Sequence, residues 1–432
     1  LPWMQRAFSS VLPPDAAYIY DALDLIQEKK SASDRKWAEL YSKTCSAMKF
    51  KIGKKTYNES EIRAIWQGTH DPKLYEAADK ELQRVYKQHA ETFTSIFNAI
   101  LKNEDVDAKL DGYYNAEEAS SAGNVVPRLH LLEMTNAVCD SFYPLSRRFY
   151  ELKRKLHQSD KCYPLCGPIY STPFITPEKK YSWEECKKIV IDAYSTFSEQ
   201  YAAIGQNIID AGTIDVAPKP GKKSGAYCIQ GQIPYIFLNF TGGERDLSTF
   251  AHELGHGVNH ALIAQQGILN DRTPISLAEV ASEFAEFLLF NHRMVEAINA
   301  DDKLMQLSLT FDRLSDMIST IHRQVALYNF EKRAHKERQR GELSTERLGQ
   351  IWAEEFERYT GVKLEGDKRN EWMYVSHLFE RPFYVYCYAF AGFIVNNLVK
   401  VYGDDDLDHD DIFDFSSRFL QFLRNTGVEF YP

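Results

Sequence analysis

His252-Glu253-Leu254-Gly255-His256 is the stretch from which the rest of this 432-residue chain can be read. On a helix, residues four apart share a face, so the two imidazoles can grip one metal ion. The carboxylate between them is placed to act on a water beside that ion, which is the equipment of a zinc hydrolase. The pattern is short: H-E-x-x-H arises by accident on the order of once per hundred chains of this size. The surrounding sequence must therefore provide a third ligand and leave a fourth position open.

One known arrangement places a third histidine six residues beyond the second. Here that position is Leu262, which excludes it. His260 lies on roughly the same face as His252 but two turns away. A histidine there more often supports a neighbour or faces solvent than binds the metal. The other arrangement takes a glutamate from a separate downstream helix. Ser276-Leu277-Ala278-Glu279-Val280-Ala281-Ser282-Glu283-Phe284-Ala285-Glu286-Phe287 carries three carboxylates at i, i+4 and i+7 on one face of an otherwise apolar helix. Burying that stripe is costly unless something pairs with it, and a metal with its supporting groups would do so. Spacing leaves both Glu279 and Glu283 open as the third ligand.

Composition narrows the setting. An apolar content of 44% suits a soluble globular protein with one large domain or two modest ones. The formal charge is −10, and no Lys/Arg run is long enough to trace a phosphate backbone. Nucleic acid and anionic membranes are excluded as main partners on that ground. Seven scattered cysteines form no CxxC pair and no disulfide framework, which points to a reducing, cytoplasmic compartment. Cys162 and Cys166 sit four apart, but Pro164 between them spoils a helical metal pair. No signal peptide or apolar span of ~20 residues is present.

Most of the chain reads as amphipathic helix, notably over 71–101, 127–156, 304–336, 345–359 and 384–402. Ser182-Trp183-Glu184-Glu185 has the form of a capping box, opening a helix expected to run to about Ala211-Gly212. Ser224–Cys228 and Pro234–Phe240 read instead as two short strands just upstream of the metal helix. Pro234 suits an edge strand. Such an edge can bind an extended peptide by adding it to the sheet, or the hairpin can merely cover the helix.

These motifs together resemble the zinc oligopeptidases that include thimet oligopeptidase and oligoendopeptidase F. The likeness rests on HELGH followed by Glu279-Val280-Ala281-Ser282 with a further Glu286. It also rests on the Ser224–Tyr227 and Pro234–Asn239 segments and on Pro382-Phe383-Tyr384-Val385-Tyr386-Cys387-Tyr388, and the last three are closest to the oligoendopeptidase F branch. The resemblance implies a mainly α, zincin-type fold with a small β-sheet beside the metal helix and a deep channel admitting short unfolded peptides. It implies one zinc ion per chain held by His252, His256 and Glu279, with Glu286 supporting a histidine and Glu253 as general base. His377, Tyr384 and Tyr386 become the donors to the oxyanion, with Tyr386 preferred of the two tyrosines. By itself, the run Tyr384, Tyr386 and Tyr388 would read as an aromatic core stripe in a chain of 25 tyrosines.

The organisation expected is a single catalytic domain over 1–432, with 1–125 mostly a helical channel wall and 126–432 bearing the metal. Members of the family extend further at both termini, so a short form, a processed piece or a trimmed chain is implied. The activity expected is hydrolysis of internal bonds in short peptides. A catalytically inactive peptide-binding protein on the same scaffold and a carboxypeptidase-type variant are the competing readings.

Overall fold

The computed structural model describes residues 14–69, 71–156, 180–219, 222, 225–267, 273–402 and 409–426. Cys162, Cys166, Ser224 and most of the acidic run 404–411 lie outside them.

Helices dominate. In the first third, α1 (Pro14–Ala47) leads into a hairpin of β1 (Phe50–Ile52) and β2 (Lys55–Tyr57). Then come α2 (Glu59–Gly68), α3 (Pro72–Gln88), α4 (Ala90–Leu110), α5 (Ala116–Gly123), α6 (Arg128–Ala137) and α7 (Tyr143–Leu156). The central part holds α8 (Trp183–Ser195), α9 (Glu199–Asp210), β3 (Ile214–Asp215), β4 (Tyr227–Ile229) and β5 (Tyr235–Phe237). It continues with α10 (Glu244–Ile263), α11 (Ile275–Asn299) and α12 (Lys303–Met317). A π-helical turn, Ile318–Arg323, joins α12 to α13 (Gln324–Arg338). The remainder is α14 (Thr345–Thr360), the short α15 (His377–Glu380), α16 (Tyr386–Tyr402) and α17 (His409–Asn425).

Local chemistry sets the boundaries. Ser182 Oγ accepts from Glu185 N–H while the Glu185 carboxylate accepts from Ser182 N–H, so both amides at the start of α8 are satisfied. The helix expected to continue to Gly212 breaks at Thr196–Ser198. Thr196 Oγ1 bonds back to Ala193 O, and Ser198 turns extended to cap α9 through Tyr201 N–H. Hydroxyl side chains that compete with the backbone favour such breaks, and periodicity does not register them.

Two apolar cores form. One gathers α1 to α7 with α13 to α15, around Phe93, Phe97, Phe330 and Trp372. The other gathers α8 to α11 with α17, around Tyr194, Leu254, Phe284 and Phe419. Helix α16 serves both, with Ala389 in the first and Ala391 and Val395 in the second. The three-stranded sheet runs β3-β5-β4, with β3 parallel and β4 antiparallel to β5. Strand β4 is an edge. Its Cys228 pairs with Ile236 and turns toward the α10 side, while Tyr227 and Ile229 stay exposed. No described helix is long and apolar enough to cross a membrane.

Candidate metal centre and active site

Helices α10 and α11 make the most extensive helix–helix contact in the fold, and a glycine permits it. A Cβ at Gly255 would lie 2.8 Å from Ala285 Cβ and 2.9 Å from Ala281 O, closer than atoms tolerate. The second variable position of HELGH thus lets the two backbones approach. That approach carries Glu279 to the histidine face.

Glu279 Oε2 lies 3.5 Å from His252 Nε2 and 3.4 Å from His256 Nε2. Three donors held about 2.0–2.1 Å from one tetrahedral zinc stand roughly 3.3–3.4 Å apart, so the residues present fit the ion. The donor set, two imidazoles and a carboxylate, is also one that suits zinc. Among the described residues, this is the one group of three or more His, Cys, Asp or Glu side chains converging closely enough to hold a metal. His252 and His256 keep 23% and 14% of their side-chain surface exposed, against 6% for Glu279, so the cluster opens on one side.

Glu283 does not join. Its Oε1 is buried without a hydrogen-bond partner, and burial together with Glu279 and Glu286 pushes its carboxyl well above the usual range. Glu286 takes a different part: its Oε1 lies 2.5 Å from His252 Nδ1, and its Oε2 accepts from Ser248 Oγ at 3.2 Å. A carboxylate on the far nitrogen fixes the ring and its tautomer, leaving Nε2 for a metal.

Electrostatics of the cluster follow from this crowding. Burial opposes a charge on His252, but the Glu286 hydrogen bond and the Glu286, Glu279 and Glu253 carboxylates outweigh it and raise the imidazole to about 10. Burial likewise opposes ionisation of Glu279, yet His256, His252 and the Tyr384 hydroxyl bring it down to about 2. Glu253 is 6% exposed and lies on the same helix; burial pushes its carboxyl upward against the pull of both histidines.

The aromatic loop faces the cluster through Tyr384 and Tyr388. Tyr384 Oη donates to Glu279 Oε1 at 3.0 Å. Tyr388 Oη lies 3.5 Å from His377 Nε2, and its ring packs against Tyr384 with centroids 5.2 Å apart. Burial, then the positive field of Arg323, lowers His377 and keeps it neutral. Tyr386 is placed elsewhere: its Oη lies 3.2 Å from Ser120 Oγ and accepts from Asn124 Nδ2 at 3.1 Å, in the first core. The preference for Tyr386 drawn from sequence thus does not match where its hydroxyl points. Tyr384 precedes α16 and Tyr388 lies in its first turn; their rings pack together, while the Tyr386 hydroxyl turns to Ser120 and Asn124.

Sequence reasoning missed what aims Tyr384. The preceding Phe383 has φ +52°, rare for a bulky residue, and its N–H donates to Glu331 Oε1 at 2.7 Å. Ser120 Oγ donates to Phe383 O at 3.0 Å. Glu331 is 1% exposed, and burial raises its carboxyl to about 8. An acidic residue in an apolar helical pattern was the available signal, but its partner lies 52 residues away.

Comparison with known proteins identifies the family. Residues 182–407, just over half of the chain, match the model of peptidase family M3. Oligopeptidase PepF of Bacillus subtilis (strain 168) is 27% identical over 339 residues, which cover 77% of this chain and 48% of that protein. The plasmid-encoded oligoendopeptidase F of Lactococcus lactis subsp. cremoris is 27% identical over 368 residues, 82% of this chain and 58% of that one. The chain thus spans about half the length of the curated relatives it matches. In fold it is similar to oligoendopeptidase-F from Enterococcus faecium, with TM-score 0.67 and 20% identity over 100% of this chain and 73% of that one. It is also similar to PZ peptidase A solved with an inhibitor, with TM-score 0.73 and 18% identity over 91% and 72% of the two chains. A mainly α fold with small sheets, a His-His-Glu cluster on two helices locked together at Gly255 and the match over 182–407 lead to one conclusion: this chain belongs to peptidase family M3.

Proposed function

We propose that the chain is a zinc oligoendopeptidase that hydrolyses internal bonds of short unfolded peptides. The observation that carries this reading is the placement of Glu279 Oε2 3.5 Å and 3.4 Å from the two HELGH imidazoles, with Glu253 buried on the same helix. His252, His256 and Glu279 would hold one zinc ion. When bound, zinc supplies a Lewis acid that polarises a carbonyl and makes water nucleophilic near neutral pH.

The chain's own residues do the rest. Glu253 accepts the proton of the attacking water and passes it to the leaving amine. Its upward-pushed carboxyl suits a base that must also act as an acid. Tyr384 and Tyr388, whose own ionisation is suppressed first by burial and then by Glu279, keep their protons and donate to the oxyanion. Neutral His377 orients Tyr388 from behind. Edge strand β4 supplies unpaired main-chain groups to an extended substrate, with exposed Tyr227 and Ile229 beside it. The single-domain organisation, with residues before about 125 walling a channel, is part of the same proposal, as is a reducing cytoplasmic setting. The buried free thiols Cys45, Cys186 and Cys387 support that setting.

The test is metal analysis joined to cleavage of a quenched fluorescent peptide library. Stoichiometric zinc is expected, with activity lost in Glu253→Gln while zinc stays bound. Zinc-loaded native protein that binds peptides and cleaves none would replace this reading with the binding one. Products from a peptide ladder separate internal from carboxy-terminal cleavage.

A further inference from the structure

Cys228 and His260 form a pair that the proposed reaction does not use. Cys228 stands on edge strand β4 with its side chain turned toward α10, and His260 lies one helical turn beyond His256. Their Sγ and Nδ1 atoms are 3.6 Å apart. The His260 ring stacks on the His256 ring with centroids 6.4 Å apart and planes 19° apart. Burial, then the negative field of Glu253, pushes the Cys228 thiol up to about 12.

We infer that Cys228 and His260 form a second cation site, selective for soft or borderline divalent ions such as zinc and cadmium, beside the first. The geometry is that of two ligands of one tetrahedral ion. With metal–sulfur near 2.3 Å and metal–nitrogen near 2.0–2.1 Å, a tetrahedral angle separates the two ligand atoms by roughly 3.6 Å. Thiolate with imidazole is a soft donor set, which favours zinc and cadmium over magnesium or calcium. The Sγ–Nδ1 contact is within hydrogen-bond reach for sulfur, so a cation would take the place of the proton the pair shares. Binding exchanges the thiol proton for the cation: Cys–SH and the divalent ion give the metal thiolate, and the proton leaves to solvent. Water completes the shell. Two protein ligands make a weaker site than the three of the first centre, so it fills only when metal is in excess.

Occupancy has a consequence, and this part rests on the peptidase reading. The added cation competes for the Glu253 carboxylate and tethers β4, the strand proposed to receive substrate, to the metal helix. Excess zinc is therefore inhibitory.

Two arms test this on the full chain carrying one equivalent of zinc. In the first, cadmium is added and the ultraviolet thiolate-to-cadmium charge-transfer band is recorded for the native protein, Cys228→Ser and His260→Gln. The native protein is expected to exceed both variants by one saturating equivalent; equal bands in all three overturn the site. This arm needs no activity, so it stands whether or not the protein cleaves peptides. In the second, zinc inhibition is measured relative to each protein's own rate at one equivalent. The inhibitory concentration is expected to rise at least about tenfold in both variants. Unchanged inhibition alongside a lost band overturns the inhibitory role and leaves the site. Using two variants that each remove a different ligand guards against one of them failing to fold.

Discussion

Tyr384 Oη donates to Oε1 of Glu279 at 3.0 Å, while Oε2 of the same carboxylate lies 3.4 Å from His256 Nε2. One carboxylate thus ties the proposed oxyanion donor to the His-His-Glu cluster. Removing the hydroxyl in Tyr384→Phe is expected to lower kcat by about 10²–10³, the usual cost of one oxyanion donor, with a smaller effect on KM. Tyr386→Phe should leave kcat within about threefold and lower stability by about 1 kcal/mol, since its hydroxyl bonds only in the first core. Steady-state kinetics with denaturation of both variants checks the contrast; equal kcat losses would refute it.

Gly255 is the only residue type that fits between α10 and α11 without forcing them apart. Gly255→Ala places a methyl 2.8 Å from Ala285 Cβ, and the expected cost is about 1–3 kcal/mol. Because relief of the clash separates Glu279 from the histidines, zinc affinity should fall together with Tm. Competition against a chelator follows the affinity. A variant that loses stability and keeps its full zinc affinity would show that the close packing does not set the cluster.

In the proposed centre, Glu286 would act on the metal through His252. Glu286→Gln keeps the shape but removes the charge 2.5 Å from Nδ1. Zinc affinity is expected to drop about 10–100-fold, while the Glu279 contacts persist. The measurement is zinc dissociation at fixed pH in native and variant protein.

Glu331 carries a pH signature. Its carboxyl stays protonated in the fold up to about 8, whereas an ordinary one ionises near 4.5. Between those values the native state holds a proton that the unfolded chain has released, so stability falls as pH rises through the window. Glu331→Gln can still accept from Phe383 N–H and cannot ionise, so its urea midpoint should lack that downward slope. An identical slope in native and variant protein would assign it to other groups.

The helical character of the chain was legible because apolar residues repeat along it with helical period, and the capping box at Ser182 marked where α8 begins. The break at Thr196–Ser198 was not, because it arises from side chains competing with backbone amides rather than from hydropathy. At the metal centre, His252, His256 and the carboxylate stripe could be listed from spacing alone. The choice among the carboxylates could not, since Glu279, Glu283 and Glu286 repeat on one face and differ only in what faces them across the helix interface.

By itself, the sequence determined the features that live within one or two helical turns: the paired imidazoles, the intervening carboxylate and the carboxylate face. Periodicity and short-range spacing suffice there. Tertiary structure decided everything that depends on groups far apart in the chain meeting. Gly255 lets α11 approach until Glu279 reaches the histidines, Glu331 holds Phe383 so that Tyr384 points inward, and α16 turns Tyr388 toward the site and Tyr386 away. Those outcomes depend on close packing between distant segments, and local pattern carries no record of it.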